Sequence, residues 1–191
     1  MSDPAAEFMT EEEYLRTEAT SPVKREYVAG FVYPLHGRTL AQAGASSQHG
    51  EICVNLILAL APAARRRGCR IYQADMRVQC HTPTGRPLYF YPDVVVTCEP
   101  VEARTTSLSA PSLIAEVLSP GTRHTDLTDK LWAYTSLPSL QHYLIVDPEA
   151  WGVRIIERVV SGWEEREAGE EIELTYLGTA LSLSDVFAGV D

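Results

Sequence analysis

Several features that would assign the chain to a class are absent from its 191 residues. No hydrophobic run approaches the ~20 residues that cross a membrane, and the first residues lack the basic and then apolar pattern of a signal peptide. We therefore expect a cytoplasmic protein with no membrane partner. Basic residues are the minority, because 16 Lys and Arg stand against 26 Asp and Glu for a formal net charge of -10. This balance argues against a protein that coats nucleic acid by bulk electrostatics.

Cysteine is scarce and scattered. The four cysteines are Cys53, Cys69, Cys80 and Cys98, and they include no CxxC pair. We see no histidine beside them at a spacing typical of zinc ligands. The sequence therefore predicts buried free thiols and no zinc site.

Length and composition allow one compact domain, with 45% hydrophobic and 22% charged residues. We assign residues 9–191 to this domain. Residues 1–8 are expected to be a disordered leader or to derive from an expression vector. Local patterns predict helices at 11–18, 47–67 and 125–137, a hairpin at 25–33, strands at 70–73, 76–81, 87–91, 93–97, 113–118 and 141–146, and a β-meander from 151. Helices before, between and after the strands indicate an α/β (α+β) domain with a mixed central sheet.

Two acidic residues stand where apolar ones are expected. Asp93 begins, and Glu116 interrupts, an apolar run typical of a strand that is covered on both faces. Carboxylates are rarely buried unless they are paired or bound to metal. At one end of adjacent strands they would offer hard oxygen ligands to Mg²⁺ or Mn²⁺. Alternatively, Asp93 lies at an exposed strand mouth, and Glu116 accepts hydrogen bonds from a turn or pairs with an arginine.

Lysine is the rarest cation in the chain, with only Lys24 and Lys130 present. Phosphodiester hydrolysis needs a cation that orients the attacking water or stabilises the transition state, beside a metal that activates water. Lys130 lies on the predicted helix after Glu116 and could supply this charge. A surface pair with Asp126, four residues earlier, explains the same lysine equally well.

Several separated segments resemble the Uma-two family, whose members are bacterial endonucleases of the PD-(D/E)XK, or restriction-endonuclease-like, superfamily. The matching segments are YPDVVV at 91–96, EVLSPGTR at 116–123, DLTDKLWAY at 126–134 and YLIVDP at 143–148, with Tyr14-Leu15, Arg25 to Gly30 and Gln48-His49 upstream. The resemblance spans roughly residues 9–188. It implies a restriction-endonuclease-like core with a four-stranded mixed sheet flanked by helices, extra β-hairpins at the N-terminus, and a C-terminal β-meander.

The resemblance also implies a metal site at one edge of the sheet. Asp93 and Glu116 would bind Mg²⁺ or Mn²⁺, with the backbone carbonyl of Val117 as a further ligand. The superfamily pattern E-x-K places lysine at 118, where this chain has Leu118. The chain is therefore similar to those superfamily members in which the lysine lies on the following helix, so Lys130 takes the catalytic role.

Six residues could support the site: Glu26, His49, Ser119, Thr122, Arg123 and Tyr134. Glu26 could hold a metal-bound water or a second ion, or form a salt bridge at a strand edge. His49 could contact a phosphate or support a metal ligand, or make only a polar contact at a helix N-terminus. The loop residues could contact phosphate or simply connect a strand to a helix. Tyr134 could pack over the stem of Lys130, although core packing is the simpler role.

The leading hypothesis is a Mg²⁺-dependent DNA endonuclease that forms a homodimer and uses no organic cofactor. The alternatives are a catalytically weak or inactive nucleic-acid-binding or assembly module on the same fold, and hydrolysis of another phosphate ester. The net charge does not exclude the leading hypothesis, because residues 31–148 carry nine acidic and ten basic side chains. Five of these basic residues are grouped together: Arg65, Arg66, Arg67, Arg70 and Arg77.

Overall fold

The structure, a computed structural model, describes residues 7–35, 46–119 and 123–190. The strands are β1 (Glu7–Phe8), β2 (Arg25–Val28), β3 (Phe31–Pro34), β4 (Arg70–Gln73), β5 (Arg77–His81), β6 (Pro87–Phe90), β7 (Val94–Thr97), β8 (Ser107–Leu108), β9 (Leu113–Val117), β10 (His142–Asp147), β11 (Gly152–Val159), β12 (Gly162–Glu167), β13 (Glu171–Leu174) and β14 (Thr179–Ser182). The helices are α1 (Glu11–Glu18), α2 (Ser47–Arg66), α3 (Arg123–Thr125), α4 (Leu131–Thr135) and α5 (Leu183–Val186), with a π-helical turn at Asp126–Lys130 and a 3-10 turn at Thr175–Leu177.

The central sheet has the order β12-β11-β10-β9-β7-β4 and is mixed, because β9 and β10 are parallel while the other neighbours are antiparallel. It has six strands, rather than the four that the resemblance implies. A second sheet, with the order β1-β3-β2-β6-β5-β8, contains the expected N-terminal hairpin, and β13 pairs with β14. Mixed sheets flanked by helices confirm the predicted α+β class.

The central sheet is covered on both faces. Val94 and Val96 belong to a core formed with α2, α5 and the β13–β14 hairpin. Val95 and Ile114 belong to a second core, formed with the second sheet and α4. Every residue of β7 and β9 is buried, which explains why the sequences of these strands are almost continuously apolar.

The pairing of β7 with β9 determines where the two anomalous carboxylates lie. The strands are antiparallel, with Val94 opposite Ala115. The start of β7 therefore meets the end of β9, and Asp93 lies beside Glu116 at one end of the sheet.

Two expectations about local structure need correction. Glu7 and Phe8, assigned above to a disordered leader, pair as β1 with Val32 and Phe31, while residues 1–6 lie outside the described part of the chain. The third helix begins at Arg123 rather than at residue 125.

Among the helices of the described residues, none is long and apolar enough to cross a membrane.

The prediction of four free thiols is wrong for one pair. Cys69 and Cys98 form a disulfide. They flank paired residues, because Arg70 of β4 lies opposite Thr97 of β7, so sheet pairing brings the two cysteines together. Cys53 and Cys80 are free and buried, as predicted.

Candidate active site

Asp93 and Glu116 are held by each other's backbone. The amide of Val117 donates to Asp93 Oδ2 at 2.8 Å, and the amide of Asp93 donates to Glu116 Oε2 at 3.4 Å. Glu116 is buried, at 2% exposure, while a fifth of the Asp93 side chain remains accessible. Glu116 pairs with no arginine within the described residues. Asp93 therefore does lie at a partly accessible strand mouth, and Glu116 does accept a backbone hydrogen bond from the segment before β7, but it has no arginine partner among the described residues.

Lys130 lies at the centre of three carboxylates. Its Nζ is 3.0 Å from Glu116 Oε1, 3.3 Å from Glu26 Oε1 and 3.0 Å from Asp126 Oδ1. The pair with Asp126 suggested by the sequence is therefore present, but it is not on the surface, because Lys130 is 2% exposed and Asp126 1% exposed. Within the described part of the chain, Asp126 Oδ1 has no well-oriented hydrogen bond, so its attraction to the ammonium is mainly ionic.

The π-helical turn helps to place these groups. Such turns are rare and occur often at functional sites. Here the turn carries Asp126 at its start and Lys130 at its end, and Tyr134 follows on α4. The Tyr134 hydroxyl donates to Glu116 Oε1 at 3.1 Å, so this buried ring both packs in the core and binds a site carboxylate. The Tyr143 hydroxyl donates to the backbone carbonyl of Asp126 at 3.1 Å, which fixes the turn to β10.

Glu26 joins the site from the second sheet. It does not pair with Arg25, whose Nε lies 2.8 Å from Glu18 Oε2. Glu26 instead turns inward, where its Oε1 contacts Lys130 and accepts a hydrogen bond from the amide of Tyr91 at 3.3 Å. The strand-edge salt bridge considered above is therefore wrong for this residue.

Carboxyl groups outnumber cationic groups around Lys130. Burial raises the pKa of Glu116 well above its usual value, opposed by Lys130 and increased by Asp126 and Asp93. Burial likewise raises the pKa of Glu26, again opposed by Lys130. Burial works against the charge of Lys130, but attraction from Glu116, Glu26 and Asp126 keeps its pKa well above the usual range. One ammonium thus contacts three carboxylates, and Asp93 lies beside Glu116, so an additional cation would stabilise the charged forms of these groups.

His49 reaches the site from the first turn of α2. Its Nε2 is 3.2 Å from Asp93 Oδ2, and its Nδ1 is 3.6 Å from Cys53 Sγ. Burial lowers the pKa of His49, but the hydrogen bond and attraction to Asp93 outweigh it, so the net shift is upward. The statement that no histidine stands at ligand spacing from a cysteine was wrong. The four-residue separation of His49 and Cys53 on one helix was the signal that could have found this pair.

Among the loop residues that could support the site, Arg123 has a defined ionic partner. Arg123 directs its Nη1 and Nη2 to Asp147 Oδ2, at 2.9 and 2.6 Å, rather than to the carboxylates of the site. The backbone carbonyl of Ser119 accepts a hydrogen bond from the amide of Arg123 at 2.9 Å. Thr122 lies outside the described residues. Val117 contacts Asp93 through the backbone amide of Val117. A metal-binding role for the backbone carbonyl of Val117 stays a prediction.

The grouped arginines do not line the site. Arg65 lies 16 residues after His49 on α2, which corresponds to about 24 Å along a helix. Arg77 is buried, donates to Thr106 and stacks over the rings of Tyr14 and Tyr89.

Comparison with known proteins assigns the chain to a family. "Uncharacterized protein slr1290" of Synechocystis sp. is 30% identical over 193 residues, covering 98% of this chain and 96% of the relative. "Uncharacterized protein sll1609" of the same organism is 34% identical over 154 residues, covering 79% and 81%. The crystal structure of "a putative nuclease belonging to DUF820" from Anabaena variabilis has the same fold, with a TM-score of 0.72 at 18% identity, and the match covers 94% of this chain and 98% of that one. The family model "Uma2: Putative restriction endonuclease" matches residues 11–189, and the chain therefore belongs to the Uma2 family.

Proposed function

We propose that the protein is a metal-dependent endonuclease that hydrolyses DNA phosphodiester bonds. Membership of the Uma2 family supports a nuclease function. The observation that carries the specific assignment is the position of Glu116 between Lys130 and Asp93. Its Oε1 lies 3.0 Å from Lys130 Nζ, while its Oε2 lies 3.4 Å from the amide of Asp93. Glu116 is thus both a member of the pair with Asp93 and a partner of the buried Lys130 ammonium.

The donor set suits Mg²⁺ or Mn²⁺. Asp93 and Glu116 offer hard carboxylate oxygens, and the carbonyl of Val117 would add another ligand. Burial raises the pKa of Glu116 and Glu26, and a divalent cation would offset this by stabilising their charged forms. When bound, such an ion neutralises charge on the phosphoryl group and lowers the pKa of a coordinated water.

Lys130 acts in this proposal as a fixed positive charge. The pKa of this ammonium stays well above the usual range, so at neutral pH it remains protonated and cannot serve as the general base. It can donate a hydrogen bond to a water or to a phosphate oxygen and stabilise the negative charge that develops in the transition state. Asp126 positions the ammonium of Lys130 by direct contact. Tyr134 positions it indirectly, because its hydroxyl holds Glu116, which contacts the ammonium. Glu26 would hold a second water or ion.

Plasmid nicking tests the proposal. Wild-type protein should convert supercoiled DNA to nicked or linear forms with Mg²⁺ or Mn²⁺, and Asp93→Asn or Glu116→Gln should lower the rate by about 100-fold or more. Asp75→Asn is the matched control, because Asp75 is 88% exposed and pairs only with Lys24 among the described cations. No cleavage by the wild type, or equal cleavage by Asp93→Asn, would refute the proposed activity.

The same protein distinguishes the alternatives. DNA binding without metal-dependent cleavage would favour a nucleic-acid-binding or assembly module on this fold. Comparison of duplex, single-stranded and branched DNA with RNA and a simple phosphodiester would identify the substrate class.

We also propose a homodimer, because cutting both strands of a duplex is simplest with two copies of one site. Sedimentation velocity should give a mass near twice 21.1 kDa. A purely monomeric protein, with or without DNA, would contradict this.

A further inference from the structure

Helix α2 carries a nitrogen and a sulfur ligand toward the carboxylate of Asp93. His49, Cys53 and Asp93 each offer one ligand atom, and these atoms lie within 4.8 Å of one another. The separations given above place the His49 imidazole between the carboxylate and the thiol. Such a mixed nitrogen, sulfur and oxygen set differs from the all-oxygen environment that Mg²⁺ prefers.

The three side chains are held in place before any ion binds. His49 and Cys53 are four residues apart on α2 and therefore lie on one helix face. Ser46 caps the helix, because its Oγ accepts a hydrogen bond from the amide of His49 at 3.1 Å. Asp93 is fixed by the amide of Val117. The backbone of each ligand is therefore fixed, and the His49 ring, whose two nitrogens face Asp93 and Cys53, would turn one nitrogen toward a bound ion.

The environment also allows an ion to enter and to coordinate a water. The side chains of His49 and Asp93 are 18% and 20% exposed, whereas Cys53 is buried, at 3% exposure. The cluster therefore has an accessible side and a closed side. Zinc sites of three protein ligands commonly leave a fourth, tetrahedral position for water.

We propose that His49, Cys53 and Asp93 form a soft-metal site that binds Zn²⁺ or Co²⁺. On binding, the Cys53 thiol releases its proton to solvent and the thiolate coordinates the metal. Thiolate and imidazole ligands favour these ions over Mg²⁺. Because Asp93 is shared, occupation of this site withdraws a ligand from the proposed Mg²⁺ site. Zn²⁺ is therefore an inhibitor of the Mg²⁺-dependent reaction, and this regulatory part alone rests on the proposed nuclease function.

Cobalt titration of the full chain tests the site without any nuclease assay. Co²⁺ should produce a thiolate-to-metal charge-transfer absorption that saturates at one ion per chain and is displaced by Zn²⁺. Cys53→Ser should abolish this absorption, and Cys80→Ser should retain it, since Cys80 is the other free, buried cysteine of the described chain. No charge-transfer band in the wild type, or the same band in Cys53→Ser, would overturn the proposal.

A second measurement needs no variant and so does not depend on Cys53→Ser folding. X-ray absorption of the zinc-loaded wild type should show one sulfur neighbour at about 2.3 Å with nitrogen and oxygen at about 2.0 Å. A shell without sulfur would refute the site.

Activity then separates the two proposals. If Mg²⁺ supports cleavage, Zn²⁺ should inhibit the wild type, and Cys53→Ser should need about tenfold more Zn²⁺ for half-inhibition of its own rate. Equal sensitivity would refute the regulatory part. Glu116→Gln should keep the cobalt absorption while losing cleavage, because Glu116 is not among the three ligands. If no protein cleaves DNA, the proposed function fails, and the cobalt titration still decides the metal site.

Discussion

Replacing Lys130 by methionine tests whether charge balance holds the candidate site together. The change keeps most of the apolar stem and removes an ammonium that lies within 3.3 Å of three carboxylate oxygens. Lys130 is 2% exposed, so water cannot easily take the place of the lost charge. Removing one partner of a buried ion pair costs about 3 to 5 kcal/mol of unfolding free energy. For a chain of this length, that corresponds to a Tm lower by about 6 to 20 °C.

The only other lysine provides a matched control. Lys24 Nζ pairs with Asp75 at 2.6 Å, and these side chains are 36% and 88% exposed. Solvent screens such a pair, so Lys24→Met should change the free energy of unfolding by no more than about 0.5 to 1 kcal/mol. The contrast between the two variants then reports burial rather than the loss of a lysine.

The stability deficit of Lys130→Met should depend on pH. Burial already raises the pKa of Glu26 and Glu116, and loss of the ammonium raises both further. A carboxyl group whose pKa is raised on folding binds protons more tightly in the folded state, so acid favours folding. The deficit should therefore be largest near pH 8 and shrink as the pH falls toward the ordinary glutamate pKa of about 4.3. Adding Glu116→Gln should also restore part of the lost stability at neutral pH.

Thermal unfolding followed by circular dichroism between pH 5 and 8 measures these effects for the wild type, both single variants and the double variant. Equal Tm losses for Lys130→Met and Lys24→Met would refute the reasoning. A deficit that neither pH nor Glu116→Gln changes would refute it as well.

Three further predictions concern other parts of the structure. Tyr134→Phe removes the hydroxyl that donates to Glu116 and should lower the free energy of unfolding by about 1 to 3 kcal/mol; an unchanged denaturant midpoint would contradict this. Burial lowers the pKa of His142, so the unfolded chain binds its proton more tightly, and this group destabilises the fold as pH falls through about 6.5. The stability lost between pH 7.5 and 5.5 should therefore be smaller in His142→Leu than in the wild type, and equal losses would contradict it. Reducing the Cys69–Cys98 disulfide, with its 29-residue separation, should cost about 3 to 4 kcal/mol, measured by urea unfolding with and without dithiothreitol; identical curves would contradict this.

The sequence identified part of the site because two residues conflict with their surroundings. Asp93 and Glu116 interrupt apolar runs, and Lys130 is one of only two lysines. The structure brings all three together, although their catalytic roles stay predictions. A carboxylate in a buried strand needs a partner, so local composition was enough to mark the position.

Other members of the site gave no comparable signal. Glu26 lies 104 residues before Lys130 in the chain, and in sequence it stands beside Arg25, an obvious partner. Asp126 was noticed only as part of an ordinary surface pair. The sequence missed the partners of Glu26 and Asp126 because burial and distant contacts, rather than sequence neighbours, decide what a charged group contacts.

The sequence by itself determined the local elements and the family. The apolar strands and the long helix α2 follow from short-range patterns, and they lie close to where those patterns predict them. Only the tertiary structure decided the size of the sheets, the Cys69–Cys98 disulfide and the cluster of three carboxylates around Lys130. The physical reason is that strand order and sheet packing join residues far apart in the chain, and the free energy of those contacts depends on burial that no local pattern encodes.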